Sequence, residues 1–265
     1  MLKIQRKPVS TVLNLKFSYD FKTPVWEVKS SDGFLVINNR DSDSLQSSFA
    51  LFDLDQNELS WENLEFDDSW WVNAYHITDS QIVFQKFEDS QDIENRSVFG
   101  FDLTTQEVSW SLENVLLIGA SDDQIFLRQK DDEELLFNID SQEWENKKNE
   151  RIDSIIDFPL HYEADSDHFD TLAKFLKKKV NIDLTGSCDY LEYRGLIFIS
   201  ANHEINREKA LSLYIFSSVG NLLLEETLDK GMKGLVSGSF FIVNGAVIFV
   251  QNKTQLKIYS IDEKV

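Results

Sequence analysis

Two imidazoles and three carboxylates fall within His161-Tyr162-Glu163-Ala164-Asp165-Ser166-Asp167-His168, the densest run of reactive side chains in the sequence. Imidazole nitrogen and carboxylate oxygen both suit divalent cations, so His161, Tyr162, Glu163, Asp165, Asp167 and His168 form a candidate binding cluster. The spacing of the two histidines matches no established zinc pattern. The run also leads into a helix-like segment, whose positive end hinders a cation and favours an anion. A capped helix preceded by an acidic loop accounts for the same residues. His203-Glu204 is the second candidate, a pair that could act as base and orienter in a loop after a strand. The companions of a nucleophilic site are missing: there is no Gly-x-Ser-x-Gly, and Cys188 has no histidine partner legible in the sequence. Gly231, Gly234 and Gly238 precede a strand, the wrong context for cradling a dinucleotide, and read as packing glycines. No catalytic residue, metal or cofactor is expected.

Carboxylates also cluster at Asp41-Ser42-Asp43, Asp67-Asp68, Asp122-Asp123 and Asp131-Asp132-Glu133-Glu134. Paired acids are the machinery of glycoside hydrolysis, which makes a carbohydrate-active hydrolase the alternative reading. That chemistry needs acids converging on one cleft, whereas these stand in turns, where Asp is favoured for turn geometry alone. Lys and Arg number 26 against 46 Asp and Glu, a net charge of −20. Such a surface repels phosphate backbones and anionic membrane faces, so neither nucleic acid nor membrane is an expected partner. Basic proteins, cations and neutral ligands remain open, and high charge also serves solubility. A single cysteine excludes an intramolecular disulfide. Residues 1–8 carry positive charge without an apolar run behind them, and the longest apolar region, Phe240 to Val250, is interrupted by Asn244 and Gly245. Neither a signal peptide nor a membrane helix is expected. The expected setting is cytoplasmic and the expected state a monomer.

The elements that must position these residues announce themselves by repetition. Phe52-Asp53-Leu54-Asp55-Gln56-Asn57-Glu58-Leu59-Ser60-Trp61 returns as Phe101-Asp102-Leu103-Thr104-Thr105-Gln106-Glu107-Val108-Ser109-Trp110, 49 residues later. A supersecondary unit repeated at this period points to solenoids, propellers or arrays. Short β-branched and aromatic runs give strands at Val25–Lys29, Phe34–Asn38, Phe49–Leu54 and Leu59–Leu64, then at Trp70–Ile77, Ile82–Phe87, Val98–Leu103 and Val108–Leu112. A third unit reads Leu116–Ala120, Ile125–Arg128, Leu135–Ile139 and Trp144. A fourth reads Tyr190–Tyr193, Leu196–Ser200, Leu211–Phe216 and Leu222–Thr227. The fifth has three strands, Phe240–Val243, Val247–Val250 and Leu256–Ile261. Val12–Tyr19 precedes the first unit and belongs to none, so it is expected to pair beside Leu256–Ile261 and close a ring, removing exposed sheet edges. The expected fold is all-β: a single-domain five-bladed β-propeller of four-stranded antiparallel blades, with six blades as the alternative.

One stretch falls outside the repeat. Phe169, Leu172, Ala173, Leu176 and Val180 follow helical spacing, Ser166 or Asp167 can cap, and Lys174 and Lys177–Lys179 suit the negative end. A helix over Ser166–Lys179 is expected within an insert at about 160–185, its apolar stripe plugging a bottom or side of the disc. The recurring Trp61, Trp110 and Trp144 read as core between sheets, and Trp70-Trp71 as part of an innermost strand, also core.

The doubled phrase resembles the quinoprotein-like propeller repeat, Leu-Asp-x-x-Thr-Gly-x-x-x-Trp. Asp53 and Asp102 stand eight residues before Trp61 and Trp110 as in that pattern, while Asn57 and Gln106 replace its turn glycine. Trp-Asp repeats fit less well, since no Gly-His start or Trp-Asp end occurs. The chain looks like a member of an uncharacterised bacterial propeller family, a resemblance that implies a fold and no activity. The quinone dehydrogenases of that superfold are exported and commonly place adjacent cysteines at the cofactor, features this sequence lacks. The expected role is therefore a non-enzymatic scaffold for a protein or ligand, recognising it through loops and the helical insert.

Overall fold

The computed structural model describes residues 10–31, 33–89, 91–92, 94–121, 123–129, 133–145, 156–231 and 239–264. Asp122, Asp131, Asp132, Gly234 and Gly238 lie outside them. The chain divides into two units, Thr23–Ile155 and Met1–Lys22 with Ile156–Val265.

Strand β1 (Ser10–Asp20) opens the chain. The three-sheet unit follows as antiparallel meanders. The first is β2 (Val25–Ser30), β3 (Phe34–Asp41), β4 (Gln46–Asp53) and β5 (Glu58–Leu64). The second is β6 (Val72–Ile77), β7 (Gln81–Phe87), β8 (Arg96–Asp102) and β9 (Val108–Glu113). The third is β10 (Val115–Ser121), β11 (Gln124–Gln129), β12 (Glu134–Asn138) and β13 (Glu143–Glu145). Middle strands read as continuous apolar runs because both their faces are covered. Alternation along β7 shows how: Ile82 and Phe84 join a core with Val36, Phe49 and Leu51 of the first sheet, while Val83 joins Leu117, Ile125 and Leu127 of the third. Outer strand β5 alternates exposed and half-buried instead.

The doubled phrase encodes a turn followed by a bulge. Asp53 Oδ1 accepts from the amides of Asp55 and Gln56 at 2.9 and 2.8 Å, and Asp102 Oδ1 from those of Thr104 and Thr105 at 2.9 and 2.7 Å. Asn138 repeats this with Asp140 and Ser141 at 3.1 and 2.9 Å. Four residues on, Asn57, Gln106 and Gln142 all hold the left-handed conformation, at φ 55°, 57° and 57°. This is the position of the missing turn glycine. Gln106→Gly should therefore stabilise by about 0.5–1 kcal/mol, read as a higher urea midpoint with unchanged slope, because Gly relieves the left-handed cost while loosening the unfolded chain. After the turn, the register slips so that Trp61 faces Leu51 and Trp110 faces Gly100, leaving Ser60 and Ser109 as the extra residues.

The third sheet lacks that bulge, and here the sequence expectation fails. Trp144 faces Phe137, one position out of step, and a one-residue slip turns a side chain to the opposite face. Trp110 is buried, Trp61 half-buried, and Trp144 is 52% exposed. The expected strand Trp70–Ile77 is also corrected. Ser69–Trp71 form a 3₁₀ turn with Asp68 left-handed at φ 57°, and Trp71 is exposed.

The two-sheet unit begins its second pass with β14 (Leu160–Glu163) and helix α1 (Asp167–Val180), then β15 (Ser187–Tyr193), β16 (Leu196–Ile205), β17 (Glu208–Ser217) and β18 (Leu222–Lys230). Strands β14 to β18 make a five-stranded sheet where four strands were expected, because β14 adds to its edge. The chain ends with β19 (Phe240–Val243), β20 (Ala246–Gln251) and β21 (Gln255–Lys264). Strand β1 lies antiparallel along β21, Val12 opposite Asp262 and Tyr19 opposite Leu256, so the orphan strand pairs where the repeat left a place for it. The Ser166 hydroxyl caps α1 by accepting from the Phe169 amide at 3.2 Å, and Asn181 ends it left-handed at φ 57°. Phe169, Leu172 and Leu176 lie on Ile199, Tyr214 and Phe216. The opposite face of that sheet packs Phe198 and Leu213 onto Phe240 and Phe249. The helix thus covers a sheet face, the task that a neighbouring sheet performs elsewhere. Gly231, expected to serve packing, has no described residue within 4 Å of its Cβ direction and holds a left-handed φ of 68°.

Candidate functional site

The histidine cluster splits in the folded chain. Pairing of β14 with β15 sets His161 opposite Asp189, which is 1% exposed. His161 Nδ1 lies 2.7 Å from Asp189 Oδ1, and Nε2 lies 3.2 Å from Glu163 Oε1. The other Asp189 oxygen accepts from the Ser239 amide at 3.4 Å, and the Ser239 hydroxyl lies 3.3 Å from that oxygen and 2.6 Å from Ser200 Oγ. Hydrogen bonding to Asp189, with Glu163 adding to it, holds the His161 imidazole above its ordinary range despite an opposing contribution from burial. Both ring nitrogens face carboxylates, and no hydroxyl or thiol among the described residues is hydrogen-bonded to them. This is a latch joining β14, β15, β16 and the start of β19. Glu163 also turns the chain into α1, its carbonyl accepting from the Ser166 amide and hydroxyl at 3.1 and 2.9 Å.

The remaining cluster residues do not converge on the latch. Tyr162 packs its ring 5.0 Å from that of His168, while Asp165, Asp167 and His168 are exposed. Among the described residues, no three His, Cys, Asp or Glu side chains are grouped to hold a metal ion. Sequence reasoning missed Asp189, Ser200 and Ser239. The available signal was an acid beside Cys188 at the start of a strand whose other acid, Glu192, stands three positions on. Burial pushes the Cys188 thiol up to about 12, so it is no nucleophile.

His203-Glu204 also comes apart. The strand β16 runs further than expected and carries both residues, which adjacent positions send to opposite faces. His203 is 4% exposed, with Nε2 2.9 Å from Ser212 Oγ, and burial lowers its pKa. Glu204 is exposed. The first is a core histidine, not a base.

Among the turn acids of the three-sheet unit, Asp41 is engaged by backbone as Asp53 and Asp102 are. Asp41 accepts from the Asp43 amide at 2.9 Å and the Ser44 hydroxyl at 2.7 Å, and these bonds lower its pKa. The same unit holds a feature that the sequence did not announce. In each first strand, one residue is left unpaired by a bulge: Trp26 between Val25 and Glu27, Tyr75 between Ala74 and His76, Ile118 between Leu117 and Gly119. Trp26 and Tyr75 stand 49 residues apart, the period of the doubled phrase. Bulges re-aim side chains, and these two rings are 64% and 38% exposed. Arg40 from β3 lies between Trp26 and Trp70, its Cζ 5.3 Å from each ring centroid. Its Nη2 donates to the Val72 carbonyl at 3.2 Å and to Asn73 Oδ1 at 2.7 Å, and Nε to Asn38 Oδ1 at 3.2 Å. Exposed Trp71 follows directly. The result is two bulge-displayed rings on a fixed framework, with electron-rich faces and one guanidinium already held between Trp26 and Trp70.

No helix among the described residues is long and apolar enough to cross a membrane. No curated protein matches the chain. Among solved structures, the β-propeller domain of the Trilobed protease from Pyrococcus furiosus, described as having an open velcro topology, is similar at 12% identity and a TM-score of 0.32, over 92% of this chain and 71% of that one. Residues 28–110, which contain the doubled phrase, match a family profile described as a domain of unknown function (DUF4905).

Proposed function

We propose that this chain is a non-enzymatic binding scaffold, a five-bladed propeller of the quinoprotein-like kind closed by the pairing of β1 with β21. The observation that carries the binding role is the bulge-displayed pair Trp26 and Tyr75, repeated at one period and left exposed beside Trp71. Large exposed rings on a rigid sheet are suited to recognition, because they offer area at little entropic cost. The helical insert has its apolar stripe on Ile199, Tyr214 and Phe216, so recognition is assigned to the bulge rings instead. A monomer acting in the cytoplasm on a protein partner, with neither nucleic acid nor membrane, fits the charge.

Affinity capture from the native cell, comparing wild type with Trp26→Ala/Tyr75→Ala, tests this reading. Partners held by wild type should fall about tenfold in the variant at unchanged melting temperature, the scale expected when anchoring aromatics are truncated. Equal recovery would remove the bulge rings from the account.

A further inference from the structure

The negative charge of this protein is confined to one unit. Residues 23–155 hold 30 acidic against 9 basic side chains, a formal charge of −21, whereas the remainder holds 16 against 17, or +1. The exposed rings Trp26, Trp71 and Tyr75 belong to the acidic unit. Aromatic faces attract cations, guanidinium most often, and surrounding carboxylates add long-range attraction. The unit demonstrates this preference on its own chain, since Arg40 occupies the space between Trp26 and Trp70. Glu27 supports that cation electrostatically against the cost of its burial.

We infer that the bulge-displayed rings of the acidic unit form a docking surface for an arginine-rich polypeptide segment. Its guanidinium groups stack on Trp26, Trp71 and Tyr75 as Arg40 stacks on Trp26 and Trp70. Charge complementarity selects it: a neutral glycan or proline-rich peptide gains nothing from the −21 of this unit, and a nucleic acid is repelled by it. The inference rests on the scaffold reading and names the partner class for its site.

Calorimetric titration with a nona-arginine peptide tests it, with a neutral proline-rich peptide and an uncharged hexasaccharide as competitors for the assignment. Wild type should bind nona-arginine at about 0.15 M salt and keep measurable binding at about 0.5 M, where diffuse attraction is screened. Trp26→Ala/Tyr75→Ala should weaken binding about tenfold with net charge unchanged, and Trp26→Phe should restore most of what Trp26 contributes. Asp55→Asn/Glu58→Gln, exposed acids of the turn after β4, should change it less than about twofold. Loss of all binding at the higher salt, equal binding by the ring variant, no binding at all, or tighter binding of either neutral probe would each overturn the inference. If nona-arginine fails while partners captured from the cell still depend on Trp26, the partner class is wrong and the scaffold reading stands.

Discussion

Gly100→Ala should lower stability by about 3 kcal/mol, a fall of roughly 6–12 °C in melting temperature for a domain of this size. A Cβ at position 100 would meet Trp110 Nε1 and Cε2 first and come within 2.6 Å of Gln81 Oε1. The indole can lie over β8 because Gly100 has no side chain, and its N–H donates to Gln81 Oε1 at 2.8 Å in the buried interior. Adding one methyl displaces the ring and breaks that bond together. Pairing Gly100→Ala with Trp110→Leu should cost well below the sum of the single changes, since the smaller side chain vacates the space. Additive costs in chemical denaturation would show that the two do not share a contact. Trp61 needs no such glycine, because Leu51 across from it leaves its ring only half-buried.

Asp189→Asn should destabilise by about 2 kcal/mol and loosen β14 from the sheet. The carboxylate is buried and serves His161 and Ser239 together, while His161 keeps about a third of its side chain in solvent. That exposure places the effect below the roughly 3–5 kcal/mol of breaking a fully buried pair. The pH dependence has a definite sign. A folded-state pKa raised above the ordinary 6.5 means that the His161 contribution is complete below that value and is lost as pH rises through the folded one. Wild type minus His161→Gln, measured by urea unfolding at pH 5.5 and pH 8.5, should therefore be larger at the lower pH. A difference that grows with pH would contradict the latch.

Much of the scaffold was legible because its signals are local. The spacing from Asp53 to Trp61 fixed strand boundaries in two sheets, and the unplaced Val12–Tyr19 pointed to its partner in β21. The stripe from Phe169 to Val180 and the cap at Ser166 gave the helix within a residue of its ends. What failed depended on register. Trp144 faces outward because it follows Glu143 directly, without the two residues that separate Glu58 from Trp61 and make room for the bulge, and single-residue slips carry no compositional mark. Trp70-Trp71 left the strand because Asp68 adopts a left-handed conformation, which Asn and Gly advertise better than Asp. The site was less legible than the fold. Proximity in sequence suggested His161 with His168, whereas strand pairing joins His161 to Asp189, and the bulges that expose Trp26 and Tyr75 exist only as mismatches between strands.

The central claim, binding through the bulge rings of a scaffold without catalysis, is tested most directly by hydrogen exchange on the protein with its captured partner bound. The account predicts slowed exchange in β2, the Ser69–Trp71 turn and β6, with β14 and α1 unchanged. Protection confined to β14, α1 and the His161–Asp189 latch, with β2 and β6 exchanging as in the free protein, would contradict it.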